Sequence, residues 1–194
     1  DLFVANVNYQ NNFLYQNNGD GTFTKITGGA IVTDGGNSYG SSWGDYDNDG
    51  DLDIILYKLA GGTGVPQSAQ LYQNDGSGNF TLITTGQMVN DTLSPRSASI
   101  VDFDNDGYLD VFVANRNRPN VLYRNTGAGD FIKVTGSILN SLCTPTLSQG
   151  STWGDYDNDG DMDVYIGGGG AYSCFYQNNG NGTFTQNNDS LLTT

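Results

Sequence analysis

Three nine-residue stretches set aspartates at alternate positions: Asp45, Asp47, Asp49, Asp51 and Asp53; Asp102, Asp104, Asp106 and Asp110; Asp155, Asp157, Asp159, Asp161 and Asp163. Each reads Asp-x-Asp-x-Asp-Gly-x-x-Asp. Carboxylates at positions 1, 3 and 5 can converge on one hard cation, and Gly at position 6 permits the sharp turn this needs. The carbonyl of position 7 (Asp51, Tyr108 or Asp161) and the carboxylate of position 9 then close an all-oxygen shell of the size Ca²⁺ takes. Tyr108 is harmless there, because a carbonyl ligand is indifferent to its side chain. Mg²⁺ is second choice, since it demands a tighter octahedron and keeps more waters. Without a cation, carboxylates held this close repel one another. The bland alternative is solvated turns rich in Asp, Asn and Gly, against which stand three copies in one register. About three structural Ca²⁺ are expected, and they would move the formal net charge from −14 to −8.

A longer repeat positions these loops. Ser42 to Asp53, Ser99 to Asp110 and Thr152 to Asp163 align without gaps, and a second motif follows each, at Leu71 to Phe80, Leu122 to Phe131 and Phe175 to Phe184. A fourth copy of that motif lies at Leu14 to Phe23, and Asp1 to Asn6 matches Asp110 to Asn115, so Asp1 corresponds to position 9 of a loop. Starts at Asp1, Asp53, Asp110 and Asp163 give periods of 52, 57 and 53 residues. That is the length of a blade of four short antiparallel strands. In the first complete repeat the pattern predicts strands over Gly40–Tyr46, Leu52–Lys58, Gln70–Gln73 and Asn79–Thr84. Turns such as Asn17 to Gly21 and Asn178 to Gly182 supply the positive-φ residues that tight hairpins need. Linkers are read at Ala60–Ser68, Gly86–Ser97 and Gly136–Gly150, and no segment has a helical period. The expected fold is all-β: four-stranded antiparallel blades of β-propeller type, about three and a half repeats, in a partial or assembled ring or array. The blades are placed at 1–27 (partial), 38–85, 97–135 and 150–186, with a tail at 187–194.

Composition narrows the function. The 194 residues include 21 acidic residues, all Asp, against 7 Lys and Arg, and no His. Lack of His removes Ser-His-Asp and Cys-His catalysis and imidazole-held zinc or haem. A charge of −14 repels phosphate backbones, so nucleic acid is not an expected partner. No apolar run approaches the roughly 18–20 residues of a membrane span, and no signal peptide is read. The chain opens mid-pattern, as a mature product or a fragment would. Absence of Glu, with 28 Gly and 23 Asn, disfavours helix. An aromatic content of 12% weighs against a disordered acidic tail.

The Asp loop between strands, joined to a Leu-Tyr-x-Asn-x-Gly-x-Gly-x-Phe hairpin, resembles the FG-GAP/VCBS-type repeat. Such repeats build the β-propellers of integrin α-subunit heads and of many secreted bacterial proteins, and the resemblance covers nearly the whole chain. It implies Ca²⁺ at the aspartates named above, stapling the strands of each blade. It does not select among adhesion, sugar binding and enzyme scaffolding, all of which the family serves. An EF-hand is excluded: that loop needs Glu at position 12 and flanking helices, whereas position 12 here is Leu56, Val113 or Ile166 within a strand. Dockerin-like and thrombospondin-type repeats have similar Asp spacing but are much shorter.

The remaining residues read mostly as structure. Cys143 and Cys174 allow one disulfide or two free thiols, and the extracellular setting that calcium chemistry suggests favours the bridge. Trp43, Ile100 and Trp153 occupy one repeat position and are expected in inter-blade core, with a sugar-stacking platform as the alternative, and Tyr15, Tyr72, Tyr123 and Tyr176 recur in strands as packing residues. Gly167 to Gly170 lacks the Lys and helix of a phosphate-binding loop. The stretch Asn115 to Asn120, with Arg116 and Arg118 and with Arg124 nearby, is the only basic cluster. A solvated loop is its expected role, with an acidic glycan or a partner's carboxylates as the alternative. Sequons stand at Asn79, Asn90, Asn181 and Asn188. The surplus carboxylates Asp20, Asp34, Asp75, Asp91, Asp130 and Asp189 lie in turns or linkers, and none can be paired from sequence as glycosidase chemistry requires.

The expected function is a non-catalytic, extracellular or cell-surface, calcium-stabilised adhesion or assembly module whose partners are other proteins or like subunits. A lectin binding glycans is the alternative, and a polysaccharide-active enzyme scaffold ranks below it. Three and a half blades do not close a ring. The chain is therefore expected to be part of a longer propeller, half of a two-copy ring, or a filament subunit.

Overall fold

A computed structural model describes residues 1–58, 68–141, 148–168 and 173–188. The described strands form four antiparallel sheets, each a meander in chain order. The first has three strands, β1 (Leu2–Val4), β2 (Phe13–Asn17) and β3 (Phe23–Ile26). The second contains β4 (Ser38–Gly44), β5 (Asp53–Lys58), β6 (Ala69–Asn74) and β7 (Phe80–Ile83). The third contains β8 (Pro95–Val101), β9 (Asp110–Asn115), β10 (Val121–Asn125) and β11 (Phe131–Lys133). The fourth contains β12 (Ser148–Gly154), β13 (Asp163–Gly168), β14 (Ser173–Asn178) and β15 (Phe184–Asn187). This is the blade architecture read from the sequence.

Two local details differ from the pattern-based reading. The first strand of a complete blade begins and ends earlier than expected, and its last two expected residues belong to the Asp loop. Strand β4 stops at Gly44, after which Asp45 and Tyr46 are held by loop hydrogen bonds. Strands β8 and β12 likewise begin at Pro95 and Ser148, inside the expected linkers. Second, the linkers carry single helical turns: α1 (Ala30–Thr33), α2 (Gln87–Asn90) and a 3-10 turn at Ile138–Asn140. One turn is too short to register a 3.6-residue period. Among the described residues no helix is long and apolar enough to cross a membrane.

The core lies in three seams between successive sheets. Side chains alternate faces along a strand, so adjacent apolar residues of one strand enter different seams. Ile54, Leu56 and Tyr72 pack with Phe3, Leu14 and Ile31 of the first repeat. Ile55, Tyr57 and Leu71 face the other way, onto Ala98, Val111 and Val113. Phe112 and Leu122 then meet Val164 and Ile166 of the fourth sheet. This explains why β5 and β9 are buried along their whole length and read as continuous apolar runs. Trp43 packs edge-on to Phe80 at 6.1 Å between ring centroids, and Trp153 to Phe112 at 5.7 Å. Ile100 packs in the middle seam, so all three counterparts serve the core.

Candidate metal centres

The loops bring positions 1, 3 and 9 together. One carboxylate oxygen each from Asp45, Asp47 and Asp53 lie within 4.8 Å of one another, and the same holds for Asp102, Asp104 and Asp110 and for Asp155, Asp157 and Asp163. The turn depends on two left-handed residues per loop. Asn48, Asn105 and Asn158 have φ of 58°, 56° and 61°, and Gly50, Gly107 and Gly160 have φ of 96°, 87° and 94°. Asn tolerates that region and Gly is free in it.

Position 1 accepts two backbone N–H groups; Asp45 takes those of Asp49 and Gly50, both at 3.0 Å. Position 9 is buried at the start of the second strand and holds two more. Asp110 accepts the N–H of Phe103 at 3.0 Å and of Asn125 at 2.8 Å. Asp53 and Asp163 repeat the arrangement. Asp1 accepts the N–H of Asn17 at 2.9 Å, which is the same bond in the first repeat. Position 5 stands outside the close trio: Asp49, Asp106 and Asp159 each accept the N–H of position 7. The position 7 side chains of Asp51, Tyr108 and Asp161 fill the space beside the hairpin glycines Gly76, Gly127 and Gly180, where a Cβ has no room.

The trios are short of positive charge. Burial, reinforced by neighbouring aspartates, pushes the carboxyl of Asp53 up to about 6 and that of Asp110 up to about 7. Asp47 Oδ1 and Asp104 Oδ1 are buried with no hydrogen-bond donor. Desolvated carboxylate oxygens left this way are costly, and an oxygen-binding cation is the group that fits them. The donor set is all oxygen, which suits Ca²⁺ or Mg²⁺ and not zinc.

The second oxygen of the position 3 carboxylate has a fixed partner. Gln73 donates to Asp47 at 2.6 Å and Gln177 to Asp157 at 2.7 Å. In the second loop that place belongs to Arg124, whose Nε donates to Asp104 at 2.6 Å and Nη2 to Asp106 at 2.8 Å. Arg124 therefore sits at the open end of the β9–β10 hairpin, beside the Asp loop. The Arg116–Arg118 turn lies at the other end, where Arg118 donates to the Thr92 carbonyl at 3.2 Å. The basic cluster read from sequence does not include Arg124.

Sequence reasoning also missed what the asparagines and linker aspartates do. Asn125 Nδ2 donates across the seam to the Tyr46 carbonyl at 2.7 Å, and Asn48 Nδ2 donates to the Gly107 carbonyl at 3.2 Å. Asp34 and Asp91, each the residue after a helical turn, accept the phenols of Tyr72 and Tyr123. Each also accepts a lysine, Lys58 or Lys133. Recurrence of Asp at the end of two linkers was the available signal. Cys174 is a buried disulfide cysteine; Cys143, Asp189, Gly169 and Gly170 lie outside the described residues.

The FG-GAP-like repeat model matches residues 1–56, 59–113 and 102–166, in step with the strands and loops just described. The chain belongs to the FG-GAP-like repeat family. Its relatives include Cartilage acidic protein 1 of Xenopus tropicalis, 31% identical over 183 residues that cover 87% of this chain and 26% of that protein. The Mus musculus and Homo sapiens proteins of the same name are 30% and 29% identical over the same coverage. The chain thus spans about a quarter of the length of these relatives. An Agrocybe aegerita lectin, described as specifically recognising non-reducing terminal N-acetylglucosamine, superposes with a TM-score of 0.60 at 19% identity. It covers 95% of this chain and 50% of the lectin chain, and the likeness is one of fold. In this FG-GAP-like array the Asp loop recurs three times with one backbone hydrogen-bond frame, varied in the side chains that meet positions 3 and 5.

Proposed function

We propose that this array is a calcium-stabilised, non-catalytic module of an extracellular or cell-surface protein, used for adhesion or assembly. The observation that carries the reading is the pair of buried, donorless oxygens of Asp47 and Asp104 inside converging aspartate trios. Asp45, Asp47 and Asp53 hold the first ion, Asp102, Asp104 and Asp110 the second, and Asp155, Asp157 and Asp163 the third. Position 5 carboxylates and position 7 carbonyls complete the shells. Calcium supplies the charge that lets these carboxylates share one loop, so metal binding is coupled to folding.

The assembly half of the reading rests on the fourth sheet. The aromatic at loop position 2 is 4% exposed at Tyr46 and 3% at Phe103, where the following blade covers it. Tyr156 at the same position is 47% exposed. The occupant that fits is a further blade of this repeat. Among the described residues the surplus aspartates favour no catalytic pairing: Asp34 and Asp91 are tied to tyrosine and lysine, and Asp20 and Asp75 stand in exposed turns.

Native mass spectrometry and thermal melts, with calcium and with excess chelator, test this reading. Three bound ions and a large fall in melting temperature on chelation are expected. An unchanged melt after verified metal removal sinks it.

A further inference from the structure

We propose that Arg124 is a built-in counter-cation that weakens the second calcium loop relative to the first, so that the array fills with calcium in steps. The inference rests on the calcium reading above and concerns what separates its sites.

The first two loops are matched at the converging positions and differ in side chain at position 7, Asp51 against Tyr108, whose ligand is a backbone carbonyl. Both have half-buried carboxylates at positions 1 and 3, a buried carboxylate at position 9 and a following blade over position 2. Both leave the Oδ1 of position 3 buried without a donor. They differ in the group on the other oxygen. Gln73 gives Asp47 one neutral hydrogen bond, whereas Arg124 gives Asp104 and Asp106 one charged bond each.

Two consequences follow. First, both oxygens of Asp106 accept a hydrogen bond, Oδ1 from the Tyr108 N–H at 3.0 Å and Oδ2 from the Arg124 guanidinium at 2.8 Å. Asp49, its counterpart, has only the Asp51 N–H among its hydrogen bonds. In the second loop the position 5 carboxylate therefore shares its negative charge with a charge-assisted bond that the first loop lacks. Second, the guanidinium stays on the far side of the position 3 carboxylate and repels any ion bound at Oδ1. The Arg124 side chain is 46% exposed, so the repulsion is screened. Even at aqueous dielectric, a unit charge one carboxylate away from a divalent ion lowers affinity roughly tenfold.

Calcium titration of the decalcified 194-residue chain by calorimetry, with native mass spectrometry for the count, tests the proposal. Arg124→Gln gives the second loop the partner of the other two, and Gln73→Arg gives the first loop the partner of the second. The expected result is one site tightened about tenfold by Arg124→Gln and one site weakened by a similar factor by Gln73→Arg, with the number of sites unchanged. Because each variant reports independently, poor folding of one leaves the other decisive. Either folded variant binding calcium with affinities within about twofold of the parent overturns the role of Arg124 and leaves the calcium reading standing. A parent chain that binds no calcium overturns both.

Discussion

The side-chain amide of Asn178 donates to the backbone carbonyl of Phe103 at 2.8 Å, a bond that crosses the seam between the third and fourth sheets. The same residue gives its backbone N–H to Asp163, accepts the Gly180 N–H in the hairpin turn and donates to the Met162 carbonyl. One buried asparagine thus joins an Asp loop, a hairpin and the neighbouring blade. Asn125 makes the same set, reaching Tyr46.

Replacing Asn178 or Asn125 with alanine strands several buried groups and is expected to cost at least about 1–3 kcal/mol. Urea unfolding measures it. Asn179→Ala removes only two exposed bonds, one donated to Thr183 and one accepted from Thr185, and is expected to stay within about 0.5 kcal/mol. Equal effects at the two positions would contradict the seam role.

Asp47→Asn keeps the size of the side chain and removes one charge from the first trio. The calcium count should fall by one, with the other two sites unaffected. At calcium a hundredfold above the dissociation constant, a lost site removes about 2.7 kcal/mol of stabilisation. The variant and the parent should therefore differ far more in calcium than in chelator.

Tyr72 and Tyr123 give an alkaline signature. Burial first, then the hydrogen bond and charge of Asp34 or Asp91, hold both phenols above the ordinary value. A group whose folded value is raised contributes stability that is full below its unfolded value, about 10 for tyrosine, and is lost as pH rises beyond it. Phenolate absorbance from these two residues should appear together with unfolding, in one cooperative step. Smooth titration of all 12 tyrosines with the fold intact would contradict it.

Gly44 and Gly154 end equivalent strands but face different surroundings. A Cβ at Gly44 would meet Ile100 at 2.9 Å across the seam, whereas one at Gly154 meets nothing within 4 Å. Gly44→Ala is expected to overpack the seam at a cost of about 1–3 kcal/mol. Gly154→Ala in the same chain should be near neutral, and thermal melts compare the two.

The sequence alone determined the repeat, the loops and the strand order, because these are local. Asp at alternate positions, Gly at Gly50, Gly107 and Gly160, and a continuous apolar run in β5 or β9 each express themselves within a few residues. It also placed Trp43, Ile100 and Trp153 in the core, since a position filled by Trp twice and Ile once is tolerant of shape and intolerant of water. What only the tertiary structure decided lies between residues far apart in the chain. Asn178 and Phe103 meet because blades stack, Arg124 and Asp104 because β10 lies beside the β8–β9 loop of its own blade, and Tyr72 and Asp34 because a linker turn reaches β6. No local pattern encodes which side chain the next strand or blade presents. Gln73 and Arg124 look interchangeable on an exposed strand end. Only the position of a half-buried aspartate beneath them makes one a neutral brace and the other a competing charge.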